Sequence, residues 1–159
     1  MIKIFAALFF FFNTGEPEKI SGKVIRVIDG NTIEVLDADK EIIKVMLHSV
    51  DCPELGQDYA DEAKKFTEKL VLKKRVVVEI MGKDRWGNKM AQVVLNNGKS
   101  LQHELLKEGL AWYKEETDRT LTLLQSNAKA NKIGLWVKDD ATPPWIYRRQ
   151  QSMMAPKGR

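Results

Sequence analysis

At 159 residues, with 43% hydrophobic and 30% charged side chains, the chain is composed for one folded domain. Disorder throughout and a pair of full-sized domains are both excluded. The formal charge of +4 suits a polyanionic partner without requiring one, and the single cysteine, Cys52, excludes an intramolecular disulfide.

The chain begins MIKIFAALFFFFN, in which Lys3 precedes an unbroken apolar run from Ile4 to Phe12. The run is too short to span a bilayer but has the length of a signal-peptide core, although no small-x-small pattern precedes Asn13. A buried N-terminal strand is the alternative. Four consecutive phenylalanines at a mature N-terminus would promote aggregation, which favours export to a secreted or periplasmic location. Residues 1–20 therefore read as a signal-like segment and a polar spacer, with no stable membrane span expected.

ISGKVIRVIDGNTIEVLDADKEIIKVMLHSV then carries three strand-like runs. Turn signals at Asp29-Gly30-Asn31 and Asp37-Ala38-Asp39 predict an antiparallel meander. In YADEAKKFTEKLVLKK the period changes, placing Ala63, Phe66, Leu70 and Val71 on one helical face. RVVVEIM and KMAQVVLN are two more strands, joined by GKDRWGN and followed by a turn at Asn96-Asn97-Gly98. Ser100 caps the next predicted helix, with Leu101 and Leu105 inward. The last predicted helix starts near Asp118, carries Leu121, Leu124 and Ala128 inward, and ends at Gly134. The remainder, ATPPWIYRRQQSMMAPKGR, is basic and proline-marked, and order is expected to end at Arg149, leaving residues 150–159 as a flexible tail. The prediction is an α+β, mainly β fold over residues 21–149: a five-stranded OB-type β-barrel with about three helices.

Three polar clusters fall at strand ends: Asp29-Gly30-Asn31-Thr32, Asp51-Cys52-Pro53-Glu54 and Asp84-Arg85-Trp86-Gly87-Asn88. A barrel can bring separate strand ends to one patch. The Asp51 carboxylate, the Asn31 amide oxygen and nearby backbone carbonyls are hard oxygen donors, which suit Ca²⁺ rather than zinc. Glu54 has the chemistry of a general base beside a metal. Any one of these clusters by itself is also an ordinary solvated turn.

Taken in order, the segments VIDGNT, VDCPE, DRWGNKMA, GLAWY, GLW and PPW resemble the staphylococcal nuclease family from about Gly22 to Arg149. The family pattern runs I-D-G-D-T, R-L-x-x-I-D-x-P-E, D-x-[YW]-G-R-x-x-A and G-L-A. The resemblance implies an OB-type barrel and a calcium-dependent phosphodiesterase that cuts DNA and RNA. It places Asp51 on a calcium-ligand aspartate and Cys52 on a residue that offers the ion its carbonyl. It places Glu54 on the general base and Asp29 behind the metal ligands. Three positions depart from the pattern. Asn31 stands where the family has a second calcium aspartate, Met46 where it has a phosphate-clamping arginine, and Asn88 where it has the other catalytic arginine.

Asparagine at 31 keeps an oxygen ligand and loses a charge, which predicts a weakened calcium site. Loss of either arginine predicts a poor enzyme, because a bidentate guanidinium stabilises the charge that develops on phosphoryl oxygens. Strand alternation puts Lys44, Met46 and His48 on one face, so Lys44 is a candidate substitute cation; Arg85, free to swing inward from its turn, is another and Lys89 a weaker one, all three being solvated surface cations otherwise. Lys44, Lys83, Arg85 and Lys89 are candidate phosphate contacts, and Trp86, Trp112 and Tyr113, if exposed, are candidate stacking platforms for bases, the equal alternative being that these aromatics pack the barrel against the helices. The reading favoured is a monomeric binder of nucleic acid or nucleotides with weak or no cleavage. An active divergent nuclease and a protein-interaction barrel are the alternatives.

Overall fold

A computed structural model describes residues 17–154; the signal-like Ile4–Phe12 run and the last residues of the tail lie outside them. In chain order the elements are β1 (Lys19–Asp29), β2 (Thr32–Leu36), β3 (Ile42–Leu47), β4 (Val50–Asp51), α1 (Ala60–Val71), β5 (Arg75–Lys83) and β6 (Lys89–Leu95). They are followed by α2 (Leu101–Lys107), β7 (Trp112–Tyr113), α3 (Arg119–Ala130), a 3-10 turn (Gly134–Val137) and α4 (Pro144–Met154).

Period-two patterning builds the barrel. Val24 and Val27 of β1, Ile33 and Val35 of β2, Val45 and Leu47 of β3, Val76 and Val78 of β5, and Ala91 and Val93 of β6 all point into the core. The strands close in the order β1-β2-β3-β6-β5. All pairings are antiparallel except β3 with β6, which run parallel. Register shifts in β1, between Val24 and Arg26 and between Val27 and Asp29, bend this long strand as closure requires.

The helices cover the barrel as the sequence predicts, with local differences. In α1 the fully buried residues are Ala63, Thr67 and Val71, while Phe66 and Leu70 pack at the margin of the core. Thr67 lies inward because its hydroxyl donates to the Gly30 carbonyl at 2.7 Å, tying α1 to the β1–β2 turn. Ser100 caps α2, and the Asp118 carboxylate caps α3 by accepting from the amides of Thr120 and Leu121.

Gly134 does not end α3, which stops at Ala130. It opens the 3-10 turn with φ +58°, and a Cβ there would sit 2.4 Å from the Glu108 carbonyl, so close approach explains this glycine. Two further departures matter more. β4 and β7 form a separate two-stranded sheet pairing Val50 with Tyr113 and Asp51 with Trp112. The residues after the double proline form α4, which continues past Arg149 to Met154, a fourth helix where the sequence suggested the end of order. No helix among the described residues is long and apolar enough to cross a membrane.

Candidate active site

The acidic residues are fixed by backbone connections. In the β1–β2 turn the Asp29 carboxylate accepts from the Asn31 amide at 2.9 Å. Gly30 lies so close to the next segment that a Cβ would meet the Cys52 Cβ at 2.7 Å and the Ala63 Cβ at 2.9 Å. The Asn31 side-chain oxygen faces the Cys52 amide at 3.4 Å, so the first two sequence clusters are in direct contact. Asp51 is held by the β4–β7 pairing opposite Trp112. The Glu54 amide donates to the Gln57 side-chain oxygen at 2.8 Å, and the Gln57 amide nitrogen donates to the Thr142 carbonyl at 2.9 Å. Gln57 thus joins the Glu54 loop to the approach to α4.

These groups open on a cleft of about 770 Å³ lined by Asp29, Asn31, Asp51 and Glu54 together with Lys44, Met46, Arg85, Trp86 and Trp112. Lys44 and Met46 face this cleft while Val45 and Leu47 are buried, as strand parity requires. Arg85 lies 3.9 Å over the ring of Trp86, which is 71% exposed, so the pair forms a cationic and aromatic rim.

Other predicted residues sit elsewhere. Asn88 turns back into its own loop: its side chain donates to the Asp84 carboxylate at 2.8 Å, and its backbone amide donates to the same carboxylate at 2.9 Å. These bonds, the side-chain one foremost, hold the Asp84 carboxyl below the usual carboxylate range. Lys89 pairs with Glu18 at 3.3 Å and, with Asn88, lines a separate groove. Lys83 is exposed at the end of β5 outside the cleft lining.

The condition on which Trp112 and Tyr113 would stack on bases, exposure, is not met. Trp112 is 5% exposed and packs edge-on against Trp136, with ring centroids 5.3 Å apart, reaching the cleft only as part of its wall. Tyr113 is 2% exposed, and its hydroxyl accepts from the amides of Thr117 and Asp118 at 2.9 and 2.7 Å. The tyrosine organises the loop before α3 and offers no stacking face.

The largest addition is Arg148 of α4. Its Nη2 donates to Asp51 at 2.8 Å, and its Nη1 reaches both Asp51, at 3.3 Å, and Glu54. The Asp51 carboxylate is the main reason that the guanidinium is held more firmly charged than usual. Burial nonetheless raises the Asp51 carboxyl above its ordinary value, with Arg148 opposing and Glu54 and Asp29 adding to the rise. Trp145, Lys114 and Glu115 also line the cleft; Trp145 belongs to the PPW segment, but neither motif nor period marked any of the three as a site residue.

The Cys52 side chain is 1% exposed, and burial, reinforced by Asp29, Asp51 and Glu54, pushes its thiol well above the usual range. It therefore supplies no thiolate nucleophile or soft metal ligand. Among the described residues no three His, Cys, Asp or Glu side chains gather as a metal cluster. The Asp51 carboxylate, Asn31 amide oxygen and Cys52 carbonyl fit Ca²⁺ in donor type, with less charge than an all-carboxylate set.

A family model described as staphylococcal nuclease homologue matches residues 44–138, from β3 through the 3-10 turn. A protein named "Uncharacterized endonuclease" from Escherichia coli O157:H7 is 38% identical over 134 residues, covering 83% of this chain and 87% of its own. A protein of the same name from Haemophilus influenzae is 35% identical over 138 residues, covering 86% and 77%. The micrococcal nuclease of Shigella flexneri is 30% identical over 143 residues, which is 80% of each chain. With its closed barrel, the cleft that holds Asp51 and Glu54, and these likenesses, the chain belongs to the staphylococcal nuclease family.

Proposed function

We propose that the chain binds nucleic acid in the cleft and hydrolyses phosphodiester bonds slowly, as an exported monomer. The observation that carries this reading is the meeting of Asp51 and Glu54 in one cleft with Lys44, Arg85 and Trp86. Carboxylates alone would repel a phosphodiester, whereas cations and an exposed ring beside them give backbone and base something to bind. Asn31, Asp51 and the Cys52 carbonyl would hold Ca²⁺, which when bound supplies positive charge beside the phosphoryl oxygens.

Glu54 accepts the proton of the attacking water, a new P–O bond forms, and the ester P–O bond breaks with its electron pair leaving on the alkoxide. General-base catalysis of this kind contributes roughly 10²–10⁴-fold. The rate is limited on the phosphate side, where Met46 has no donor and the Asn88 amide is committed to Asp84. Export rests on the Ile4–Phe12 run.

Plasmid and single-stranded DNA should be cut slowly with Ca²⁺, cutting should stop with EDTA, and Glu54→Gln should lower the rate by roughly 10²-fold or more. Cutting that survives both treatments would reject this chemistry. If wild type binds oligonucleotide in a salt-dependent manner without cutting, only the binding half of the proposal stands. Binding indifferent to salt would reject phosphate contacts altogether.

A further inference from the structure

The helix α4 presents two residues to the cleft. Pro144, buried at the first helical position, starts the helix with a ring that needs no hydrogen-bond partner. Trp145 and Arg148 follow at a spacing that places them on one helix face, and both line the cleft. The ammonium of Lys114 lies 5.4 Å from the Trp145 ring, joining the segment after β7 to this rim. Arg148 lies outside residues 44–138, so the family model assigns it no counterpart.

We propose that Arg148 is the phosphate-binding guanidinium of this cleft, delivered from α4 in place of the arginines absent at Met46 and Asn88. The inference rests on the nuclease reading above. The donor count permits it. Three N–H groups are engaged by the two carboxylates, and a guanidinium has more donors than that, leaving Nε–H and the other Nη2 hydrogen. The Arg148 side chain is 49% exposed, so these donors are not sealed against the acidic pair. A phosphoryl oxygen can therefore be bound while Asp51 and Glu54 continue to orient the fork.

The other cations of the cleft are less suited. Lys44 and Lys114 carry point charges without a fork, and Arg85 is stacked on Trp86 in an exposed turn. Only Arg148, among the described arginines, contacts both carboxylates of the proposed reaction. Charge balance adds a condition. At the ion pair itself two carboxylates face one guanidinium, a local negative excess that disfavours a phosphodiester there even with Lys44, Arg85 and Lys114 elsewhere on the cleft wall. A divalent cation reverses the sign, so oligonucleotide and Ca²⁺ should bind cooperatively, with Arg148 contributing one phosphate contact.

The test compares wild type, Arg148→Ala and Arg148→Lys. The readouts are anisotropy of a labelled single-stranded oligodeoxynucleotide across a salt series with Ca²⁺, calorimetric Ca²⁺ binding, and initial cleavage rates. For Arg148→Ala the slope of log K against log salt should fall by about 0.7, one single-strand phosphate contact. Cleavage should fall by roughly 10²–10³-fold, with Ca²⁺ affinity undiminished because a competing cation has left Asp51. Arg148→Lys should restore the slope but only part of the rate, since it returns the charge without the fork. An unchanged slope, or an alanine variant that cuts as fast as wild type or faster, would overturn the inference and leave the nuclease reading intact. In that event Arg148 merely blocks the carboxylates. Wild type that neither binds nor cuts would overturn both.

Discussion

On the acidic side of the cleft, Asn31, Cys52 and Glu54 are fixed by hydrogen bonds involving their own backbone or by direct contact of neighbouring segments. On the other side, Met46 projects half-buried from β3 into the cleft, and Asn88 folds into a surface turn. The first arrangement is shared with the barrel itself. The β1–β2 turn packs on α1 and Cys52, and β4 pairs with β7. Changing it disturbs packing and backbone hydrogen bonds together. The second arrangement consists of side chains whose replacement leaves strand pairing untouched, since β3 keeps Met46 in register with Thr32 and Met90. Acidic geometry is therefore tied to the fold, whereas the side chains at Met46 and Asn88 can be exchanged without disturbing it.

The strongest way to break this comparison is to move the arginine back. In an Arg148→Ala background, Met46→Arg should recover cleavage by roughly 10²-fold, because a guanidinium reaching the phosphoryl oxygens from β3 does the same electrostatic work. Added to wild type, the same change should give a smaller gain, since residues acting as a unit are not additive. Initial rates on a single-stranded substrate decide the matter. Rescue by Met46→Lys as complete as that by arginine would show that charge alone suffices. Asn88→Arg should do less than either, below about tenfold, because it removes the bond that holds the side chain to Asp84 while adding the guanidinium.

The same contrast decides what was legible in the sequence. Alternation exposed the barrel because each strand buries one side chain in two, as Val45 and Leu47 do beside Lys44 and Met46. The acidic cluster was legible because turn residues with carboxylates recur at strand ends. β4 and β7 were not, since a two-residue strand has no period. Whether Trp112 and Tyr113 stack or pack stayed open, because their burial depends on the β7 pairing, which has no period to read. Arg148 was hidden by distance: it lies 97 positions from Asp51, and its proximity exists only in the fold. A signal was present in the second proline of PPWIYRR, which fits a helix start, with Trp145 and Arg148 then falling on one face.

On the acidic side, Gly30→Ala should be the most damaging small change. The added methyl would overlap the Cys52 and Ala63 side chains, and overpacking of this kind costs about 1–3 kcal/mol. Thermal or urea unfolding should register the loss, and Ca²⁺ affinity should fall with it because Asn31 and Cys52 move apart. Unchanged stability would mean that the turn shifts freely, and the contrast between a fixed acidic side and a replaceable basic side would weaken.

The smallest expected effect tests how α4 is tied to that acidic side. The Gln57 side chain accepts from the Glu54 amide and donates to the Thr142 carbonyl, so it couples the Glu54 loop to the approach to the helix bearing Arg148. Gln57→Ala removes both bonds. Each neutral hydrogen bond contributes about 0.5–1.5 kcal/mol, and water can replace part of it at this partly exposed position. Global stability should therefore change by about 1 kcal/mol or less. The informative readout is local: amide exchange at the start of α4 and at Glu54 should quicken together while the barrel strands stay protected. Faster exchange at Glu54 alone would mean that α4 is held by Pro144 and the Arg148 ion pairs without this bridge, and that the two halves of the site move independently.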